Sequence, residues 1–234
     1  MRPFVIANWK AHPKTEKEAL QLFDSVKKEI TNNEKAKIII CPPYKFLTII
    51  GRLKSRNKII LGVQDFSDKF SIKDIRKIGC KYVILGHSEK RAPGETDEII
   101  NKKIKTALKS GLKPILCVGD KSRKSKNDIK KVYSQLKKDL KGIKKSDFKN
   151  VIIAFEPVWA VGTGKNCDYT EAKTAKEFIK KYLPKNVPIL YGGSVNSKNA
   201  ADYIKKSGFD GFLIGGASLN PKEFVKIIFG INKK

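Results

Sequence analysis

Short runs of β-branched and aliphatic residues recur along the whole chain, separated by amphipathic segments, and this alternation narrows the possible folds most. Eight such runs stand out: "FVIANWK" (4–10), "KIIICPP" (37–43), "IILGVQ" (59–64), "YVILGH" (82–87), "KPILCVG" (113–119), "VIIAFE" (151–156), "VPILYGG" (187–193) and "GFLIGG" (211–216). They are nearly continuous in apolar character. Parallel strands buried on both faces read this way, whereas half-exposed strands alternate. The segments between them carry helix signals. Thr15 and Glu18 form a capping-box pattern ahead of Ala19, Leu20, Phe23, Val26 and Ile30, which share a helical face. The stretch 95–111 groups Ile100, Ile104, Ala107 and Leu108 and stops at Gly111; 169–184 and 196–208 follow the same logic. In 220–230, Asn220 is the expected N-cap, with Pro221 at the first helical position. Further helices are expected at 45–56, 126–141 and, briefly, 71–78. Eight strand–helix units in 234 residues predict an α/β protein, a (β/α)8 barrel forming a single domain over 1–234. A doubly wound open sheet is the rival reading.

Bulk properties exclude several classes. No run of about 18 apolar residues exists, so no membrane span is expected. The N-terminal "MRPFVIANWK" lacks the pattern of a signal peptide. Cys41, Cys80, Cys117 and Cys167 have neither C-x-x-C pairing nor metal-ligand spacing, which reads as reduced thiols in a cytoplasmic protein. The charge is extreme: 50 Lys+Arg against 23 Asp+Glu, net +27. Phosphate contacts to nucleic acid would use such a charge. The lysines are instead spread over every segment, and only six of the fifty basic residues are Arg, the side chain favoured for base readout. A solvated, lysine-rich surface is the preferred reading, and its field would steer a small anionic substrate.

The C-terminal ends of barrel strands surround the active site. Here those ends carry Asn8 and Lys10, then His87, Ser88 and Glu89, then Glu156, then "YGGS" and "GGAS". Gly192–Gly193 and Gly215–Gly216 let backbone N–H groups approach an anion, and the loops after strands 7 and 8 of barrels are a frequent phosphate site. Only two histidines exist; His12 lies in a polar loop and is given no role. With no third His and no nearby Cys, no metal site is expected at His87. One His, one Glu and one Lys suit proton transfer beside a developing oxyanion. Glu156 opens "EPVWAVGTG" (156–164), where a carboxylate meets a stiff Pro157-Val158-Trp159 and then the small residues Ala160, Val161, Gly162, Thr163 and Gly164. A glutamate is too weak a base for a C–H proton unless water is removed around it, so a cover that closes and reopens is expected there.

The blocks "NWK" (8–10), "GHSEKR" (86–91), "CVGD" (117–120), "EPVWAVGTG" (156–164), "YGGSV" (191–195) and "GGASL" (215–219) occur in this order. Together they resemble the triosephosphate isomerase family, along nearly the whole chain. The resemblance implies a TIM barrel that interconverts dihydroxyacetone phosphate and glyceraldehyde 3-phosphate through an enediolate, in glycolysis and gluconeogenesis. It implies Glu156 as the base, His87 as the neutral electrophile, Lys10 and Asn8 on the substrate oxygens, and Glu89 as a buttress of Lys10. Gly162, Ser194, Gly215 and Gly216 would hold the phosphate, with 157–164 as the lid. It implies no cofactor, because the proton moves within one substrate.

Several positions depart from the family's pattern. Phe155 replaces a usual Tyr, Asp120 stands where Glu is common, "KNC" (165–167) ends the lid where a small residue is usual, and "NWKAHP" lacks the usual Met-Asn. The chain is also shorter between Glu156 and Tyr191. The family's homodimer is expected by resemblance, yet the segment between Gln64 and His87 is shorter than the loop that usually enters the partner subunit, leaving a monomer or an altered interface open. Another phosphate-binding barrel isomerase would share the Gly turns but gives no reason for "EPVWAVGTG".

Overall fold

The computed structural model describes residues 2–30, 36–53, 59–67, 70–119 and 127–231. Along the chain, β1 (Phe4–Asn8) precedes α1 (Glu16–Glu29), β2 (Lys37–Cys41) precedes α2 (Tyr44–Leu53), and β3 (Ile60–Val63) precedes α3 (Ile72–Lys77). Then β4 (Tyr82–Leu85) leads to a one-turn α4 (Ser88–Arg91) and to α5 (Asp97–Lys109), and β5 (Lys113–Val118) to α6 (Asn127–Asp139). Finally β6 (Ile152–Phe155) precedes α7 (Tyr169–Lys180), β7 (Ile189–Tyr191) precedes α8 (Ala200–Lys205), and β8 (Gly211–Ile214) precedes α9 (Pro221–Gly230). The strands pair in sequence order, all parallel, and β8 closes on β1 with Phe4 opposite Gly211 and Ala7 opposite Ile214. This is the (β/α)8 barrel, and the open sheet is excluded by the closure.

The continuous apolar runs are explained by two packed layers. Alternate strand residues such as Phe4, Ile6, Ile39, Ile84, Ile115, Ile152, Leu190 and Leu213 fill the barrel lumen. Their neighbours, such as Val5, Ala7, Ile38, Ile40, Leu116 and Ile153, pack outward against Phe23, Leu47, Ile104, Ile179 and Phe224 of the helices. Each strand is thus apolar on both faces, as parallel strands under a helical shell must be. The Thr15–Glu18 capping box forms, and Asn220 caps α9 with Pro221 at its first turn. Among the described residues no helix is long and apolar enough to cross a membrane.

The strands end earlier than the apolar runs suggest. β1 stops at Asn8 because Lys10 takes φ 51°, which no extended strand accommodates, and β4 stops before Gly86, at φ 69°. The last two residues of the seventh run, Gly192 and Gly193, lie beyond β7 in a turn. Helix α4 is shorter than any periodicity reveals; it is nucleated by His87, whose ring accepts the Glu89 N–H. Asp120 lies outside the described residues.

At the mouth, β5 and β6 approach so closely that a Cβ on Gly119 would lie 1.7 Å from the Glu156 carbonyl oxygen. Only glycine fits. Gly119→Ala is expected to cost on the order of 3 kcal/mol, since backbone rather than a side-chain tip must move. Urea unfolding measures this; an unchanged midpoint would contradict the close approach.

Candidate active site

Glu156 is the first residue after β6, and its N–H donates to the Val118 carbonyl at 2.8 Å, holding its backbone in line with the strand. The side chain is 2% exposed. One carboxylate oxygen lies 3.1 Å from His87 Nε2, and the other accepts the Ser88 N–H at 3.1 Å. His87 Nδ1 accepts the Glu89 N–H at 3.3 Å, which requires a lone pair there. The neutral ring therefore carries its hydrogen on Nε2, the nitrogen that faces the carboxylate and the cavity. An N–H so placed polarises a carbonyl oxygen without carrying a full charge.

Below Glu156 sits Cys117, whose thiol burial and the neighbouring Glu156 charge push well above the ordinary range. It stays protonated and is an inert member of the packed lumen rather than a nucleophile. Cys41 is likewise raised by burial.

Lys10 carries the backbone strain of the site. Among the described residues it alone, apart from glycines, has a positive φ, a conformation costing an L-residue about 1–2 kcal/mol. Three contacts hold it. Its N–H donates to Asn8 Oδ1 at 3.1 Å, and its carbonyl accepts from Gln64 Nε2 at 2.9 Å. Its ammonium pairs with Glu89 at 2.8 Å. Gln64 also donates to the Cys41 carbonyl at 3.0 Å, so one amide ties the ends of β1, β2 and β3 together. The result is an ammonium presented over the barrel mouth on a rigid stem.

The two glycine turns stand beside these groups on the rim: a Cβ on Gly215 would lie 3.4 Å from Lys10 Cε, and one on Gly192 3.0 Å from Glu156 Cγ. Gly192–Ser194 follow β7, and Gly215 leads into a 3-10 turn, Gly216–Leu219, after β8. The segment 157–164 arches over this side. Val158–Ala160 form a 3-10 turn, Ala160 is fully buried, and the Ser194 hydroxyl donates to the Ala160 carbonyl at 2.6 Å. Beyond it the chain is exposed, with Gly162 and Gly164 at φ 72° and 74° and open space beside both. The segment is thus anchored at its start and unencumbered at its tip.

These groups enclose a cavity of about 290 Å³. Asn8, Lys10, His87, Glu156, Gly162, Ser194, Gly215 and Gly216 all line it, as do Val161 and Gly164. The size is at the small end for ligand pockets, about 300–1,000 Å³. Glu89 does not line it; at 58% exposed side chain, it touches the site only through Lys10 and the His87 ring. Pro157, Val158, Trp159, Ala160 and Thr163 also lie outside the lining.

A carboxylate, an imidazole N–H, a cation and two glycine turns therefore face one small cavity. The family model described as "Triosephosphate isomerase" matches residues 3–231. The chain belongs to the triosephosphate isomerase family. Curated relatives named triosephosphate isomerase include that of Aquifex aeolicus (strain VF5), 39% identical over 247 residues covering 98% of this chain and 99% of the relative. That of Thermoanaerobacter sp. (strain X514) is 39% identical over 249 residues (97% and 98%), and that of Dehalococcoides mccartyi (strain CBDB1) is 40% identical over 247 residues (97% and 96%). These alignments are longer than the chain's 234 residues, so the triosephosphate isomerase relatives carry segments that this chain lacks.

Two positioning groups of this triosephosphate isomerase family member escape sequence reasoning. Gln64 is the one polar residue closing the third apolar run, and that placement is its signal. Arg91, within "GHSEKR", donates to the carbonyls of Gly86 (2.8 Å) and Cys117 (3.2 Å) and pairs with Asp97 (2.6 Å) and Asp139 (2.5 Å). It locks the β4 end, and with it His87, to β5, α5 and α6. Nothing near Asp139 in sequence points to this partnership.

Asp139 is fully buried, and one of its oxygens has no hydrogen-bond partner among the described residues. Burial, against the counteracting Arg91 charge, raises its carboxyl to about 7. The folded state then holds a proton between about pH 4 and 7 that the unfolded chain has released. This contribution to stability is complete at low pH and is lost as pH rises through 7. The slope is at most about 1.4 kcal/mol per pH unit. Thermal melts at pH 5.5 and 8 are expected to show a lower Tm at pH 8, and Asp139→Asn to shrink that difference. An equal difference in the variant would refute the assignment.

Proposed function

We propose that this chain interconverts dihydroxyacetone phosphate and glyceraldehyde 3-phosphate by proton transfer through an enediolate, without a cofactor, in glycolysis and gluconeogenesis. The observation that carries the reading is one cavity lined by Glu156, His87, Lys10 and Asn8 together with the glycine turns. The phosphate sits on backbone N–H groups of Gly162, Ser194, Gly215 and Gly216. That placement sets the carbonyl end of a three-carbon substrate between His87 and Lys10. Glu156 exchanges its Ser88 contact for the substrate, removes a proton from the carbon beside the carbonyl, and returns it to the neighbouring carbon. His87 Nε2–H donates to the oxygen on which charge develops and moves protons between the two oxygens. Lys10 and Asn8 stabilise that charge, and Glu89 keeps the ammonium in place. The segment 157–164 closes over the phosphate, excludes water and keeps the enediolate from expelling its phosphate. The net charge of +27 steers the dianionic substrate inward, and the four buried thiols suit a cytoplasmic setting.

The test is a coupled assay in both directions on the wild type and Glu156→Gln. The variant is expected to lose about 10³-fold or more in kcat with little change in fold. A wild type converting neither triose phosphate would sink the proposal, and a fully active variant would remove Glu156 as the base.

We infer also that a single chain is sufficient for this site, in place of the family's homodimer. Supporting this, Asn8, Gln64 and Glu89 already bond the Lys10 N–H, carbonyl and ammonium. The segment after β3 lies against its own barrel: Asp65 pairs with Lys103 at 2.7 Å and Lys90 at 3.7 Å, and the Phe70 ring packs 3.6 Å from that of Tyr44. Sedimentation and kcat measured across a dilution series are expected to give activity per chain that is independent of concentration. A dimer whose activity falls on dilution would contradict the inference.

A further inference from the structure

Gly119 is the first residue past β5, and a side chain rather than a strand takes its backbone. Its N–H donates to Gln135 Oε1 at 2.9 Å, and its carbonyl accepts from Gln135 Nε2 at 3.1 Å. One primary amide thus meets both peptide groups that flank a single Cα, which fixes the position and the orientation of that residue. Gln135 comes from α6, in the helical shell outside the barrel. Neither Gln135 nor Gly119 lines the cavity.

Gly119 in turn is where the Glu156 backbone rests. A Cβ on Gly119 would lie 1.7 Å from the Glu156 carbonyl oxygen and 2.7 Å from its carbonyl carbon, so the two main chains are in direct contact. The Glu156 N–H is held by the carbonyl of Val118, the residue before Gly119. The end of β5 is therefore the seat of Glu156, and Gln135 holds that seat from outside. Four residues further along α6, on the same face, Asp139 pairs with Arg91. Arg91 donates to the carbonyls of Cys117 and of Gly86, which immediately precedes His87. One helix thus holds both members of the Glu156–His87 pair, which face each other at 3.1 Å: Asp139 through Arg91 and Gly86, Gln135 through Gly119.

We propose that Gln135 is a positioning residue for the reaction: by clamping Gly119 it sets where the Glu156 carboxylate stands relative to His87 and the substrate carbon. The inference rests on Glu156 acting as the base of the proposed isomerase. A base that removes and returns a proton at carbon is sensitive to small displacements; a shift of about 1 Å can cost about a hundredfold in rate. Among the described residues Gln135 bonds only Gly119, and none of the turns after β7 and β8. Its loss therefore moves the base and leaves the phosphate end of the site in place.

Gln135→Met keeps the length of the side chain and removes both bonds. It is expected to lower kcat about tenfold, while KM for the triose phosphate and the inhibition constant of inorganic phosphate stay within about twofold of wild type. Introduced into Glu156→Gln, where no base is left to position, it is expected to lower the residual rate by less than about twofold. A clamp with a merely structural role would lower Tm and leave kcat unchanged, or would raise KM and the phosphate constant in step with the fall in kcat. Either result overturns the proposal, and so does a full tenfold effect in the Glu156→Gln background. If Gln135→Met does not fold, Gln135→Glu decides by the same measurements. It keeps an acceptor for the Gly119 N–H and loses the donor to the carbonyl, so a smaller fall in kcat at unchanged KM is expected, and a wild-type kcat overturns the role. A wild type that converts neither triose phosphate overturns the isomerase reading and this role with it. That outcome is distinguished by appearing before any substitution is made.

Discussion

Closure of the barrel between β8 and β1 is the constraint on which everything else depends. Once Phe4–Ala7 pair with Gly211–Ile214, no strand has an unpaired edge, and all eight carboxyl ends converge on one rim. Convergence is what turns residues as distant as Asn8, His87, Glu156 and Gly215 into neighbours around one small cavity. The lumen below them is filled by Ile6, Ile84, Ile115, Leu213 and their layer-mates. The site therefore rests on a packed apolar floor with no room for the polar groups to sink or tilt.

On that rim, precision is supplied by polar groups that do not face the cavity. Lys10 keeps a backbone conformation that an isolated chain would abandon, because Asn8 and Gln64 bond its N–H and carbonyl and Glu89 takes its ammonium. His87 keeps one tautomer because the Glu89 N–H claims its Nδ1. Arg91 bridges the ends of β4 and β5 and is neutralised by two carboxylates, one of them wholly buried. Such networks are worth little as bulk stability and a great deal as geometry, since a misplaced donor loses most of its effect on a developing charge.

The segment 157–164 follows the same division: its tip is exposed, Ser194 holds Ala160 near its start, and Tyr191 and Tyr203 hold Cys167 just beyond its end. Both anchors belong to the β7–α8 region, which also carries the Gly192–Gly193 turn.

Much of this was legible in sequence. Apolar runs at strand length, capping residues such as Thr15 and Asn220, and glycine doublets at strand ends act locally, through backbone propensity and burial, and local rules read them correctly. The residues that line the cavity were legible for the same reason, because barrel topology gathers the strand ends at one rim. What could not be read were the groups defined only by contact across the fold. Lys10 is an ordinary lysine in sequence, and its left-handed φ is held because Gln64, just past the end of β3, can reach its carbonyl. Asp139 looks like one more charge on an exposed helix, and becomes a buried partner only when α6 packs beside Arg91. Tyr203 reads as the apolar face of a short helix, and its hydroxyl gains partners only when β7 brings Tyr191 and the loop after β6 brings the Cys167 carbonyl to it. By itself the sequence determined which residues lie at the rim, because secondary structure and burial pattern are local. Tertiary structure alone decided how those residues are held, because hydrogen-bond partners are set by distance in space.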